Sequence, residues 1–591
     1  MKQNRILFSF FLGFLILATL FSAVSCAGKP TNNGDPPGEV EAETKLTIGG
    51  KSIANHAIVF PEGQAALAQT VQAEIAAKAN VTLPTTTSDP GDGKVICLRI
   101  DSGLQPRAYG FYTQGRTLTV FAKTAALLDE AVALFKTKLN ELFQTAEGKK
   151  VDLASSFSAN VIKTDGQAVS YETATGTKKV IGETTKNPIS YAVGDTATLV
   201  VSAVAGDQLV SVPYFCIETW NEATGKGNTE YVDGSKGYIE YQIPMFVKPG
   251  FFYWMINACD KGKNKIAQFN DSADGYHFIG SAGFGVEQIQ PAVAAPADFD
   301  SCWNEVLAKV RVQGTTGMKL DQINSSTYGF YTYYWEMPYG GKNSLGEANV
   351  AAGYLTVPIS ASEENKIGLK ITFQAHDGDI PIPNPSYQDN TATLIVCAHG
   401  FDLEKAKKDI VYYGRQKTRI GNFSGNPDYF VEMIQRDLLG AKFLMEYFGE
   451  SGNHFWDGET FVVAGNSMGA MQSTAVAALT KEVTGTDVSL LDIGIPWLCD
   501  VKGATAGRKV RTWPTKLEEM GRFDPVNFAS RLTCKVKIYA ALGDKYCPAS
   551  GVMALYNGAK NVEKTITFQQ NVSHGGGHGG GKYQLSQSLA Q

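Results

Sequence analysis

The feature that most constrains this chain lies late in it. Thr460-Phe-Val-Val-Ala-Gly465 reads as a buried strand and runs into Asn466-Ser467-Met468-Gly469-Ala470, where an Ala-rich helix begins and continues through residue 479. Gly-x-Ser-x-Gly between a strand and a helix predicts a strained turn in which the glycines permit close packing and the serine hydroxyl projects at the carboxyl end of a sheet. An N-cap serine after a glycine turn is the plainer reading in a chain with 61 glycines, but the flanking strand and helix favour a nucleophile at Ser467. The neighbouring segments agree with that setting. Residues 369–374, 393–398 and 535–542 read as strands and about 427–448 as a helix, so from about residue 291 an α/β arrangement is expected, a mostly parallel sheet covered by helices.

A hydroxyl is a weak nucleophile and needs a base, and the base needs a carboxylate to fix its tautomer. Residues 535–542 end in Gly543-Asp544, which places Asp544 at the carboxyl end of the sheet. His574 follows the next strand-like run, 566–570, in Asn571-Val-Ser-His574-Gly-Gly-Gly. His578, in the same glycine-rich loop, competes for the role of base. No carboxylate or cysteine cluster accompanies the two histidines, so a metal site formed by them is not expected. The chain order Ser467, Asp544, His574 is that of α/β-hydrolases. It predicts an oxyanion hole from the amide after the serine, Met468, and one after the strand 369–374, assigned to Asp377 with Gly378 close behind. His376 and His399, just after buried strands, are read as lining the site or packing there.

The remainder divides by texture. Residues 1–25 have cationic Lys2 and Arg5, an apolar stretch from Ile6 to about Phe21 and then small residues, an export signal ending at Cys26. The run resembles a bacterial lipobox, which makes Cys26 the expected lipidation site, although Ala23 stands where leucine is usual. Residues 26–44 read as a flexible tether, 45–162 as a small α+β domain and 163–290 as an all-β, immunoglobulin-like sandwich. Within the α+β domain, Val95–Ile100 and Thr117–Ala122 read as strands, the latter paired with 108–113 across the turn Gln114-Gly115-Arg116. With 43% hydrophobic residues, the chain past the tether is folded material. A net charge of −5 without a basic run argues against nucleic acid, and no other segment is apolar enough to cross a bilayer. Cys216 and Cys259, both in strand-like runs, are read either as a bridge or as buried free thiols.

Three stretches resemble the acetyl xylan esterase and cephalosporin-C deacetylase family of carbohydrate esterases. Pro296-Ala-Asp-Phe-Asp300-Ser-Cys-Trp303 is similar to its domain-opening segment and Gly465-Asn-Ser-Met-Gly469 to its nucleophile motif. Gly543-Asp544-Lys-Tyr-Cys-Pro548 with Ala554-Leu-Tyr-Asn557 is similar to the stretch with its acid. His574 falls where the family has its base. Lys248-Pro-Gly-Phe251 and Ala282-Gly-Phe-Gly285 resemble members with a preceding sandwich, so the likeness spans roughly 165–591. The family's Gly-Gly-Ser-Gln-Gly-Gly is replaced here through Asn466, Met468 and Ala470, and Ala398-His399-Gly400-Phe401 stands where its Arg-Gly-Gln motif falls. The resemblance implies cofactor-free release of acetyl groups from xylan, xylo-oligosaccharides or other acetylated sugars; the export signal and the lipobox-like run at Cys26 lead us to expect a protein held at a membrane through lipid alone, periplasmic or at the cell surface. Other esters (feruloyl, glucuronoyl) or peptides on the same triad, and a non-catalytic glycan-binding role, are the competing readings. The sequence assigns no oligomeric state.

Overall fold

The computed structural model describes residues 44–272, 274–327, 329–343, 345–376, 379–383, 390–421, 427–508 and 517–588. They fall into two compact units, one ending at Ala159 and the other comprising Gly103–Ala108 and the chain from Asn160 on.

The second unit is organised by one sheet, ten-stranded among the described residues. Its middle is six parallel strands in the spatial order Thr391–Val396, Ile367–Phe373, Trp456–Asn466, Leu490–Gly494, Lys535–Ala541 and Lys564–Gln569. The expected strands are all present, with ends that differ by at most four residues. Three antiparallel strands that the sequence reading did not place, Lys319–Thr327, Phe330–Lys342 and Ala348–Pro358, extend one edge, and Lys582–Gln587 closes the other. Pro427–Phe448 forms as expected and packs on Met468–Thr484 and on Phe299–Val312. Nearly every second residue of these strands, such as Leu369, Ile371, Phe461, Val463, Leu491 and Ile538, is buried in one continuous core. Among the described residues no helix is long and apolar enough to cross a membrane.

Ahead of that sheet, two antiparallel sheets share a core. Lys178–Thr184, Ala197–Ala205 and Tyr238–Ile243 belong to one, and Lys226–Asp233, Tyr214–Asn221, Gly250–Cys259 and Phe278–Phe284, in that spatial order, form the other. Leu199, Val201, Phe215, Ile217, Trp254 and Phe278 interdigitate between them. Cys216 and Cys259 are buried free thiols rather than a bridge. Cys216 lies opposite Asn257 and Cys259 opposite Tyr214, so the two thiols are diagonal neighbours on adjacent strands.

In the first unit, Ala57–Val59, Val95–Ile100 and Thr117–Ala122 run parallel, and Ala108–Gln114 pairs with the last of them across the expected turn, where Gly115 has φ 56°. The helices Ala65–Ala79 and Ala125–Thr145 bury Val71, Ile75, Leu128, Ala131 and Phe135 against this sheet. The Thr124 hydroxyl caps the second helix by accepting from Leu127 N–H at 3.3 Å.

The domain-opening segment shows its purpose in packing. Trp303 is fully buried against Phe299, Phe523 and Phe528 and donates its indole N–H to Arg522 O at 3.2 Å. Trp303→Ala should therefore cost about 3–5 kcal/mol, read by denaturant unfolding, with Trp303→Phe costing distinctly less.

Candidate active site

The turn at residue 467 is strained in the way the motif predicts. Ser467 sits at φ 55° and ψ −120°, a backbone state that costs a non-glycine residue on the order of 1–3 kcal/mol. It persists because its neighbours leave no alternative. A Cβ on Gly465 would lie 2.5 Å from Gly469 O, and one on Gly469 2.4 Å from Phe373 O, so both glycines are needed for helix and strand to close on each other. The Ser467 backbone is pinned as well: its N–H donates to Gly494 O and its carbonyl accepts from Trp497 N–H, both at 3.0 Å.

Although Ser467 occupies the N-cap position, its side chain makes no cap bond. Its Oγ is instead 2.8 Å from His574 Nε2, and His574 Nδ1 is 2.9 Å from Asp544 Oδ2. Asp544 is wholly buried, and its other oxygen, Oδ1, accepts from Tyr546 N–H and Cys547 N–H, each at 2.8 Å. The acid and base loops are joined directly, since Gly543 N–H donates to Val572 O at 2.9 Å. Of the two histidines left open by the sequence, His574 is therefore the one at the serine. His578 instead donates its backbone N–H to Ser272 Oγ at 3.5 Å, and burial lowers its pKa.

Met468 opens the helix Met468–Thr484, where the first N–H groups have no intrahelical acceptor, so its amide is available beside Ser467. Asp377 and Gly378 lie outside the described residues; the strand that leads to them, Ile367–Phe373, neighbours the nucleophile strand as expected. His399 is buried, with Nδ1 2.9 Å from Tyr429 Oη. The segment 398–401 has an arginine against it, unforeseen from the sequence. Arg436 of the helix Pro427–Phe448 is buried, donates to Ala398 O at 2.5 Å and to Tyr339 Oη at 3.1 Å, and leaves room only for glycine at position 400. A buried arginine in a helix gives no periodicity signal that singles it out. Cys26 also lies outside the described residues.

Asp544, Cys547 and His574 each offer a ligand atom within 4.8 Å of the others, which makes them the group that could hold a metal ion among the described residues. The carboxylate is already engaged on both oxygens, by two amides and by His574, and this favours a proton relay over a metal centre. Burial lowers the affinity of His574 for a proton, but the hydrogen bond and charge of Asp544, with a smaller push from Asp274, outweigh it and raise the pKa above the ordinary histidine value.

A folded-state pKa above the unfolded one means that His574 stabilises the fold at low pH. That contribution is complete below the ordinary histidine value and is lost as pH rises through the folded value. The imidazole should thus titrate above a free histidine when followed by NMR, and Asp544→Asn should move it down. A His574 signal titrating below the ordinary value in the parent protein would contradict this electrostatic picture.

Residues 451–589, which include all three members of the relay, match the model of the family Acetyl xylan esterase (AXE1). Acetyl esterase Axe7A of Xylanibacter ruminicola is 25% identical over 332 residues, covering 50% of this chain and 69% of that protein. Acetyl xylan esterase 1 from Thermoanaerobacterium sp. is similar at 17% identity with a TM-score of 0.36, covering 49% of this chain and 92% of that one. The acetyl xylan esterase from Paenibacillus sp. R4 is similar at 14% identity with a TM-score of 0.37, covering 49% of this chain and 93% of that one. Over residues 451–589 this chain matches the acetyl xylan esterase family, a match that indicates a serine carboxylic-ester hydrolase.

Proposed function

We propose that the protein is a serine carbohydrate esterase that removes acetyl groups from xylan, xylo-oligosaccharides or other acetylated sugars. The observation that carries this reading is the unbroken relay from Ser467 Oγ to His574 at 2.8 Å and from His574 to Asp544 at 2.9 Å. The acetyl preference is supported by the family match and the acetyl esterase relative.

His574 Nε2 takes the hydroxyl proton as Ser467 Oγ adds to the acetyl carbonyl carbon, and Asp544 holds the imidazole in the tautomer that can accept it. The charge on the carbonyl oxygen is met by the Met468 amide and by a second amide assigned to Asp377. Collapse breaks the bond to the sugar oxygen, which leaves with the proton from His574. Water, deprotonated by the same histidine, then releases acetate from the serine. The steps require only these residues and water.

The reading extends to the rest of the chain. The two facing antiparallel sheets are taken as an immunoglobulin-like sandwich, residues 163–290, ahead of a catalytic domain from 291. Export and a lipid on Cys26 are supported by Lys2, Arg5, the apolar stretch and the small residues that precede that cysteine.

Acetate release from acetylated xylan and from a small aryl acetate should both be seen, and Ser467→Ala should lower kcat by a factor on the order of 10⁶. Cleavage of the aryl ester alone would sink xylan as the substrate while keeping the serine chemistry. Separately, incorporation of a fatty-acid analogue in a bacterial host should vanish in Cys26→Ser; a variant labelled as strongly as the parent would refute the anchor.

A further inference from the structure

His574 hangs from a loop whose base is fixed from outside the catalytic sheet. Four buried residues stand between the strand Lys564–Gln569 and the histidine, the first two of them Gln570 and Asn571. Both reach the strand Phe278–Phe284, which is the edge strand of its antiparallel sheet and pairs with Gly250–Cys259 on one side. An edge strand leaves backbone groups in need of partners. Gln570 supplies them with a side-chain amide: its Nε2 donates to Ser281 O at 3.0 Å, and its Oε1 accepts from Ser281 N–H at 3.3 Å. The contact is tight enough that a Cβ on Gly280 would lie 2.1 Å from that Oε1.

Asn571 completes the attachment. It adopts the left-handed conformation, φ 55°, which asparagine tolerates better than most residues. Its Oδ1 accepts from the Ser272 hydroxyl at 2.6 Å and from Ile279 N–H at 3.3 Å. The acid loop is gripped from the same side. Ser281 Oγ donates to Leu542 O at 2.6 Å, two residues before Asp544, and Lys545 Nζ lies 3.5 Å from Asp274. The loops that present base and acid thus share one external template.

We infer that Gln570 and Asn571 are positioning residues, through which the edge of the antiparallel sheet sets the reach of His574 toward Ser467. Ser272, Ile279 and Ser281 are therefore part of the catalytic assembly rather than of a detachable attachment. This rests on the proposed role of His574 as base, and it adds residues that touch neither substrate nor the reacting atoms.

Three variants of the full chain separate the possibilities, assayed on a small aryl acetate and by the rate of labelling with a serine-reactive fluorophosphonate. Asn571→Gly keeps access to the left-handed backbone but deletes Oδ1. It should lower kcat and the labelling rate about 100-fold, the scale of a misplacement of around 1 Å, with KM unchanged. Asn571→Asp keeps both acceptor contacts and should restore most of that loss. Ser272→Ala removes one donor from a half-buried position and should lower kcat about 10-fold, less than loss of both contacts; it decides the matter if Asn571→Gly does not fold. Parent-like kcat in Asn571→Gly or, failing that variant, in Ser272→Ala would overturn the inference. So would an Asn571→Asp protein as slow as Asn571→Gly, or a loss expressed in KM alone. Absence of labelling in the parent would instead count against the esterase reading itself, which keeps the two failures apart.

Discussion

The proposed active site depends on a serine held at φ 55° between two glycines that touch backbone. That turn is unfavourable by itself and survives because strand and helix close over it on both sides. The Gly465 and Gly469 contacts fix the distance between the nucleophile strand, its helix and the end of the neighbouring strand at Phe373. Once that distance is set, the Ser467 hydroxyl has no cap to make and projects toward whatever the sheet brings alongside. A parallel sheet brings the carboxyl ends of successive strands to one side, and so Asp544 and His574, each just past its own strand, arrive beside it.

The second dependence is on edges. A strand with unpaired amides must be covered, and here side-chain amides do so twice. Gln105 brackets Gly182, donating to its carbonyl at 3.1 Å and accepting from its N–H at 2.9 Å, while Gln570 does the same to Ser281. The first of these ties Gly103–Ala108 into the larger unit, which explains why that unit borrows a segment lying earlier in the chain than its main body. The second ties the histidine loop to the antiparallel sheet. In both cases a glutamine imitates a strand one residue long.

Legibility follows the range of the interactions. Pro427–Phe448 and Thr117–Ala122 are plain in the sequence because their apolar periodicity is local. Lys319–Thr327, Phe330–Lys342 and Ala348–Pro358 were not placed: they pair with one another in successive hairpins, and what makes them part of the parallel sheet is the pairing of Ala348–Pro358 with Thr391–Val396, a contact that leaves no local pattern. Cys216 and Cys259 read equally well as a bridge or as thiols until the register put them on a diagonal. Buried Arg436 is accounted for by tertiary partners that the helix pattern does not announce, among them the carbonyl of Ala398 and the hydroxyl of Tyr339.

The sequence by itself determined the chemistry on offer: a serine in a strand–turn–helix frame, with an acid and a histidine following in hydrolase order, each after a strand. Those are statements about residue type and local backbone, and local physics is enough to make them. The sequence favours His574 over His578, four residues apart in one glycine-rich loop; only the tertiary structure brings His574 Nε2 against Ser467 Oγ, because that placement depends on where the loop is anchored. The anchors are Gln570 and Asn571, and their partners lie about 290 residues earlier in the chain. A hydrogen bond across that separation leaves no periodicity, spacing or composition behind; it exists only once the sheet edge and the loop are folded against each other.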